Sequence, residues 1–444
     1  MAAHPLNIAI IGGGWAGLAA AVHLQQQDHR VHVWESARHW GGRARALALQ
    51  GPQGEAWTMD NGQHILIGAY QHCLQLMRTV GVDERHALLR LTLDLRYADG
   101  TGLRLPDLPP PWDAAWGIAR ARGWSWAERL HLLQVASRWQ RSGFQCAASA
   151  SVADLCQGLP QRLMHDFVDP LCISALNLPA AAASGPVFLR VLQDSLFSGR
   201  GGSNLLIPRV DLGQLFPAMA ARWLAQRGAS LHPGCRVQQL RQCPHQGWEV
   251  LDARQQTTSV DAVIVATPSM EAARLVEQAQ IAAGHKTVGQ QWAHTAQHLP
   301  HTAIATVYAY TRQRRSDGHV LPAPMVALRS HAQAPAQFAF DKARLGGPAG
   351  LLALVISASG DDRQALQAQA IAQAADQLAL SDLMALKTVV DRRATFACTP
   401  DVVRPAAQIA PGLWACGDYV QGPYPATLEG AVRSGLQAAA SLSE

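Results

Sequence analysis

The sequence is short of charge, of clustered cysteine and of long apolar runs. Only 16% of its 444 residues are Asp, Glu, Lys or Arg, against about a quarter in an ordinary soluble domain. No block of Lys or Arg occurs, which removes the basic track that a nucleic-acid binder needs. The net charge of +5 is mild for this length and permits weak attraction to acidic lipid or phosphate. The eight cysteines, from Cys73 to Cys416, are scattered without a C-x-x-C pair. Their spacing is too loose for a zinc knuckle, so no metal site is expected. Scattered cysteines without a signal-peptide pattern fit a reducing cytoplasm. The run Leu6 to Ile11 is far too short to span a bilayer, and no window offers some twenty unbroken apolar residues. These absences leave a soluble or peripheral protein.

What is abundant is apolar. Hydrophobic residues make up 48% of the chain, enough for a large core without disulfides or metals. The excess suggests a large interior with an apolar ligand cavity. The length allows two or three domain-sized units, and no repeat is visible.

Residues 6–11 (LNIAII) predict a strand buried on both faces. GGGWAG and an Ala-rich helix follow, then a second strand over 30–35 (RVHVWE). The Pro-rich stretch 106–112 marks a break. Helix is expected over 113–141, and again over 151–200 with breaks at Pro160, Pro170, Pro179 and Pro186. A single helix is expected over 211–228. Strands are expected at 229–240, 247–252, 260–266, 303–310, 351–357 and 413–416, with helices at 363–379 and 429–443. Both ends look like nucleotide-fold pieces and the middle does not. The expected organisation is a discontinuous cofactor domain (1–90, 200–270 and 400–444) with a substrate domain (91–199 and 271–399) inserted in it.

Gly12-x-Gly14-x-x-Gly17 stands between the first strand and its helix, with Gly13, Trp15 and Ala16 inside the motif. Gly12 permits the tight turn, Gly14 lets backbone approach a pyrophosphate, and Gly17 lets helix and strand lie close. The helix N-terminus then offers free N–H groups and a favourable dipole. Glu35 ends the second strand, where a carboxylate accepts hydrogen bonds from ribose hydroxyls, with Ser36 beside it. It would repel a 2′-phosphate. A Gly-rich turn of some other α/β protein is the plainer reading of the glycines alone. Gly41, Gly42 and Arg43 come next, with Arg45 beyond. Two glycines and an arginine suit a second contact with a diphosphate. A surface salt bridge is the plainer reading of Arg43.

The segment E-x5-GGR-x-R resembles the second half of the FAD fingerprint in the flavin amine oxidase and phytoene desaturase superfamily. Residues 413–436 (LWACGDYVQGPYPATLEGAVRSGL) resemble the closing flavin motif of the same superfamily. The resemblance implies an α/β, Rossmann-like FAD-binding domain of the amine oxidase/glutathione reductase type. It assigns Gly417, Asp418, Thr427, Leu428, Glu429 and Ala431 to the cofactor. In the family an acid at Asp418 binds the ribityl chain or the phosphates. Val237, in LHPGCRVQQL, resembles the family's adenine contact, and Thr267 its A-T-P turn. A buried core valine reads Val237 equally well.

Asp60-Asn61-Gly62-Gln63-His64-Ile65-Leu66, with P-x-x-x-E-G-A-V-R-S-G near the end, is similar to the hydroxysqualene dehydroxylase family, also described as squalene-associated FAD-dependent desaturases. Residues 170–179 and 201–216 share that likeness, which covers essentially the whole chain. It implies reductive removal of the hydroxyl of hydroxysqualene to give squalene, in hopanoid and squalene formation, with hydride from reduced FAD. It also places Gly62, Gln63 and His64 close to the flavin. Such chemistry needs an acid near the hydroxyl, an apolar cavity and exclusion of water. His64 is the candidate acid and Asp60 its candidate orienter. The blander reading has Asp60 capping a turn and His64 packing on the ring.

Three other readings stay open. FAD-dependent desaturation of a carotenoid or squalene needs an acceptor instead of a donor. Amine oxidation is disfavoured because Thr427 stands where many amine oxidases place a cage tyrosine. A prenyl-chain escort protein without flavin is disfavoured by the retained Glu35, Gly42, Arg43, Asp418 and Glu429. No second G-x-G-x-x-G supplies a nicotinamide domain, so the electron donor is not identified. Finally, Trp112, Trp116, Trp124, Trp126 and Trp139 crowd into residues 109–139 with interspersed arginines. Trp and Arg together suit peripheral contact at the inner membrane face. Lining of the protein's own core or tunnel is the alternative.

Overall fold

The computed structural model describes residues 4–197, 199–244, 247–360 and 362–442. A six-stranded sheet is built around Asn7–Ile11. That strand pairs in parallel with Arg30–Glu35 on one side and Ala262–Val265 on the other. Ser230–Pro233 and Leu413–Ala415 extend the sheet in parallel, and Gln408–Ala410 closes one edge antiparallel. The central strands read as unbroken apolar runs because both faces are covered. The first helix, Trp15–Gln26, has no polar stripe for the same reason, with nine of its twelve residues buried. It packs against Pro217–Ala225 and the last helix, Leu428–Ala440. A Cβ on Gly435 would fall 2.1 Å from the Ala16 carbonyl oxygen, so the two helices touch backbone to backbone.

The opposite face carries the antiparallel meander Val237–Gln242, Trp248–Asp252 and Thr257–Val260. The helices Ser269–Glu277 and Ala283–Gln297 join this core through Leu275, Val276, Trp292 and Ala296. Residues 271–297 therefore pack with the nucleotide sheet, where the sequence placed them in the substrate part. The single strand expected over 229–240 is divided at Gly234, whose φ of +69° turns the chain. The helix expected over 211–228 is broken at Phe216 into Leu212–Leu215 and Pro217–Ala225, because Pro217 drives its predecessor out of the helical region.

A second sheet of five antiparallel strands runs in the order Met325–Ala327, Phe338–Asp341, Leu351–Ser359, His301–Tyr310 and Met384–Phe396. Arg363–Gln377 covers one face. The other face joins a core with Leu49, Met59, Leu205 and Ile207. Helices between residues 112 and 196 form the third part. Pro170 does not break its helix as expected. A π turn over Met164–Val168 runs directly into Asp169–Leu176, and the Tyr97 hydroxyl donates to the Asp166 carbonyl at 2.9 Å. That bond satisfies the acceptor that the proline nitrogen cannot reach.

Candidate functional site

Two glycine loops meet at the N-terminus of the first helix. Gly12 has φ +120°, and a Cβ there would sit 2.5 Å from the Ala266 carbonyl oxygen. Gly41 N–H donates to the Gly13 carbonyl at 2.9 Å, and Gly14 forms a backbone bridge with Gly41. A Cβ on Gly14 would meet only the Gly42 Cα, at 3.9 Å. The helix start at Gly14 has no side-chain cap, so its first N–H groups and dipole are left for an anion. Gly17 lies beneath the loop, where a Cβ would come within 2.0 Å of the Gly12 carbonyl oxygen. Gly13 sits under the Trp40 ring and donates to Glu35 Oε2 at 2.9 Å. Glu35 Oε1 accepts from Ala37 N–H at 2.8 Å and from the Ser36 hydroxyl.

These loops form one wall of a groove of about 560 Å³. Trp15, Ala16, Glu35, Ser36 and Arg43 line it on that side, and Val237 and Thr267 on another. Gly417 and Asp418 follow the strand Leu413–Ala415, and with Thr427, Leu428 and Ala431 they complete it from the far end of the chain. Thr427 caps the last helix by accepting from Gly430 N–H at 2.9 Å. Trp15 Nε1, Thr267 Oγ1 and Tyr419 Oη are buried on this groove without a partner among the described residues. A buried polar atom without a partner is costly, and three around one groove fit a ligand rich in polar atoms. The glycine cradle and the carboxylate at the strand end fit FAD.

Three placements differ from the sequence reading. Arg43 does not stand free for a diphosphate: its guanidinium pairs with Asp418 and donates to the Ala394 carbonyl at 2.7 Å. Glu429 is fully buried and does not line the groove. Its carboxylate accepts from His72 N–H at 3.2 Å and Cys73 N–H at 3.0 Å, and contacts Arg433 at 3.2 Å. It therefore caps the helix Gln71–Thr79 and ties the last helix to it. Asp60 does not orient His64. Its carboxylate accepts from Leu212 N–H at 2.8 Å, and burial pushes it up to about 6.

An apolar cavity of about 430 Å³ opens from the inner end of the groove, within the range of small-molecule sites. Arg43, His64, Ala394, Ala426, Thr427 and Leu428 line both spaces, so they mark the junction. Gly62 and Gln63 belong to the cavity side. Phe338, Phe340 and Val355 of the second sheet form one wall. Leu132, Trp139, Phe188 and Leu192 of the helical part form another.

Few polar groups interrupt this lining. His64 Nδ1 lies 2.9 Å from the Gly62 carbonyl. A carbonyl only accepts, so Nδ1 carries the proton and Nε2 a lone pair. Burial lowers the His64 pKa, and Arg43 adds to the shift, which keeps the ring neutral at neutral pH. Asp391 also lines the cavity, as do Asp194 and Tyr424, whose side chains are hydrogen-bonded to each other. The sequence reading missed Asp194 and Asp391 and set Tyr424 aside. No local spacing marks them, because they come from three segments that only the tertiary fold brings together.

A dinucleotide that carries a redox ring would use both halves of this arrangement, the polar groove and the apolar cavity adjoining it. Fold and groove together define an FAD-dependent oxidoreductase. The chain belongs to the flavin containing amine oxidoreductase family, whose sequence profile matches residues 15–443. It is similar to the hydroxysqualene dehydroxylase of Sinorhizobium fredii, with 26% identity over 456 residues and 98% of each chain covered. A shorter stretch of 78 residues is 38% identical to the zeta-carotene desaturase of Zea mays, covering 18% of this chain and 13% of that one. Among solved structures, an oxidoreductase from Methanosarcina mazei shares the fold, with a TM-score of 0.71 at 15% identity, covering 99% of this chain and 100% of that one.

Proposed function

We propose that this enzyme removes the hydroxyl group of hydroxysqualene reductively, giving squalene. The observation that carries the proposal is the continuity of an apolar cavity with the FAD groove, combined with full-length similarity to a hydroxysqualene dehydroxylase. Bound reduced FAD supplies a hydride. The protein supplies the rest. The cavity walls hold a C30 chain and keep out water, so a cation formed when the hydroxyl departs is not quenched. His64 takes up a proton at Nε2 and delivers it to the departing hydroxyl. Its lowered pKa makes the protonated ring a strong acid where it stands. Asp391 and Asp194 place carboxylates in the cavity lining, Asp194 paired with Arg190, and the remaining share of that negative charge favours an allylic cation. A substrate of this kind resides in lipid, and the reading includes peripheral contact with a membrane.

A second reading, desaturation of an isoprenoid, is favoured by the desaturase-like stretch and would use the same cavity with electrons flowing the other way. One anaerobic experiment separates them. Reduced protein mixed with hydroxysqualene is expected to reoxidise its flavin and yield squalene. Flavin that stays reduced with hydroxysqualene, yet is reduced from its oxidised form by squalene, overturns dehydroxylation in favour of desaturation.

A further inference from the structure

The five tryptophans of residues 109–139 divide into two sets. Trp124 and Trp139 are buried, whereas Trp112, Trp116 and Trp126 are 66, 50 and 74% exposed. Leu130, one turn beyond Trp126, is 56% exposed. A cluster of large apolar side chains in water marks an interaction surface more often than chance. These residues lie on the helices Trp112–Arg120 and Trp126–Arg141, whose other faces wall the cavity through Ala114, Ile118, Leu132 and Ala136. The helix pair thus has two apolar faces. The cavity accounts for one of them only.

Charge identifies what the second face meets. Residues 112–141 hold five arginines and two acids. Of the acids, Asp113 is buried and Glu128 is engaged in a capping box with Ser125. Arg120 lies over the Trp116 ring and Arg129 over the Trp126 ring, each 4.6 Å from the ring centroid. An indole paired with a guanidinium offers apolar edge and cation side by side. That combination suits the headgroup layer of a bilayer, where rings settle among headgroups and cations meet lipid phosphates. No helix among the described residues is long and apolar enough to cross a membrane, so contact through this face would be peripheral.

We propose that the Trp112–Trp116–Trp126 face docks on an anionic bilayer surface and sets the outer wall of the cavity against lipid. The docking stands on the surface alone; its use for delivering substrate rests on the dehydroxylase reading. FAD-loaded protein is sedimented with vesicles of phosphatidylcholine and phosphatidylglycerol, and with phosphatidylcholine alone. The wild type is expected to sediment with the anionic vesicles, less so at high salt. W112S/W116S/W126S is expected to partition at least ~10-fold more weakly. Its flavin content and its turnover of detergent-dispersed hydroxysqualene are expected to match the wild type. The single variant Trp126→Glu, at the most exposed position, gives the same reading if the triple variant folds poorly. Arg129 is left intact, because it donates to the Ala119 and Ala121 carbonyls at 2.7 Å each. Wild type remaining in the supernatant overturns the proposal, as do variants that sediment equally well. It is also overturned if the substitutions dissolve a dimer without changing vesicle binding, since the face then joins two copies. Loss of docking with turnover intact leaves the dehydroxylase reading standing. Docking without any turnover of hydroxysqualene does the reverse.

Discussion

At the residue scale, side chains that sequence alone assigns to a ligand are partly engaged with the protein itself. Glu429 shows this most clearly. Glu429→Gln puts an amide N–H₂ among backbone donors and weakens the contact with Arg433, at a cost of roughly 2–3 kcal/mol. Urea titration is expected to show that loss while flavin absorbance per protein stays unchanged. Flavin loss at unaltered stability would restore a cofactor role. Asp60 makes a pH prediction. Its carboxyl rises from the usual 3.8 to about 6 in the fold because it is buried, so the folded protein binds that proton more tightly than the unfolded chain. Its contribution to stability is fully present below about pH 4 and is lost as pH rises through about 6. Asp60→Asn keeps an oxygen for Leu212 N–H and is expected to flatten the stability profile between those values. An unchanged slope would assign that pH dependence elsewhere. For His64, acid catalysis by a ring with a lowered pKa predicts turnover that rises as pH falls toward that pKa. His64→Gln is expected to retain flavin and lose ~10²-fold or more in kcat, with the acidic rise gone. Full turnover would remove His64 from the mechanism.

At the element scale, the close approach of the first and last helices holds the groove together. Gly435→Ala places a methyl 2.1 Å from a backbone oxygen, and overpacking of this kind costs roughly 1–3 kcal/mol. Thermal unfolding is expected to move down by several degrees, with flavin released early. A Tm equal to wild type would mean that the helices separate at no cost. Elements that announce themselves by local rules were legible in the sequence. Asn7–Ile11, Trp15–Gln26 and Arg30–Glu35 follow from an apolar run, a glycine turn and a second run. Met384–Phe396 was not legible, because Lys387, Asp391, Arg392 and Arg393 interrupt its alternation on a sheet edge. Ala283–Gln297 was hidden by two glycines and many polar residues, and is held by tertiary burial of Trp292 and Ala296. The groove half of the site was readable because glycine spacing is a local steric requirement. The cavity half was not, because Asp194, Asp391 and Tyr424 meet only through long-range packing.

At the scale of the molecule, the sheet beside the nucleotide groove and the sheet that walls the apolar cavity share the junction around His64 and Arg43. Filling the cavity should therefore change substrate length without touching the cofactor. On the dehydroxylase reading, Ala136→Trp, on the helical wall, is expected to raise KM for hydroxysqualene by ~10-fold or more and to favour shorter isoprenoid alcohols. Steady-state kinetics on a C30 and a C15 alcohol test this; equal loss on both would mean general damage to the site. The parallel insertion of Leu413–Ala415 beside Ala262–Val265, with the last helix laid on the first, sets an order of events during synthesis. A growing polypeptide on the ribosome presents the phosphate loop before the rest of the site, yet lacks the other bank of the groove until residues 413–440 emerge. Flavin capture thus follows the emergence of residues 413–440, when both banks of the groove first exist together.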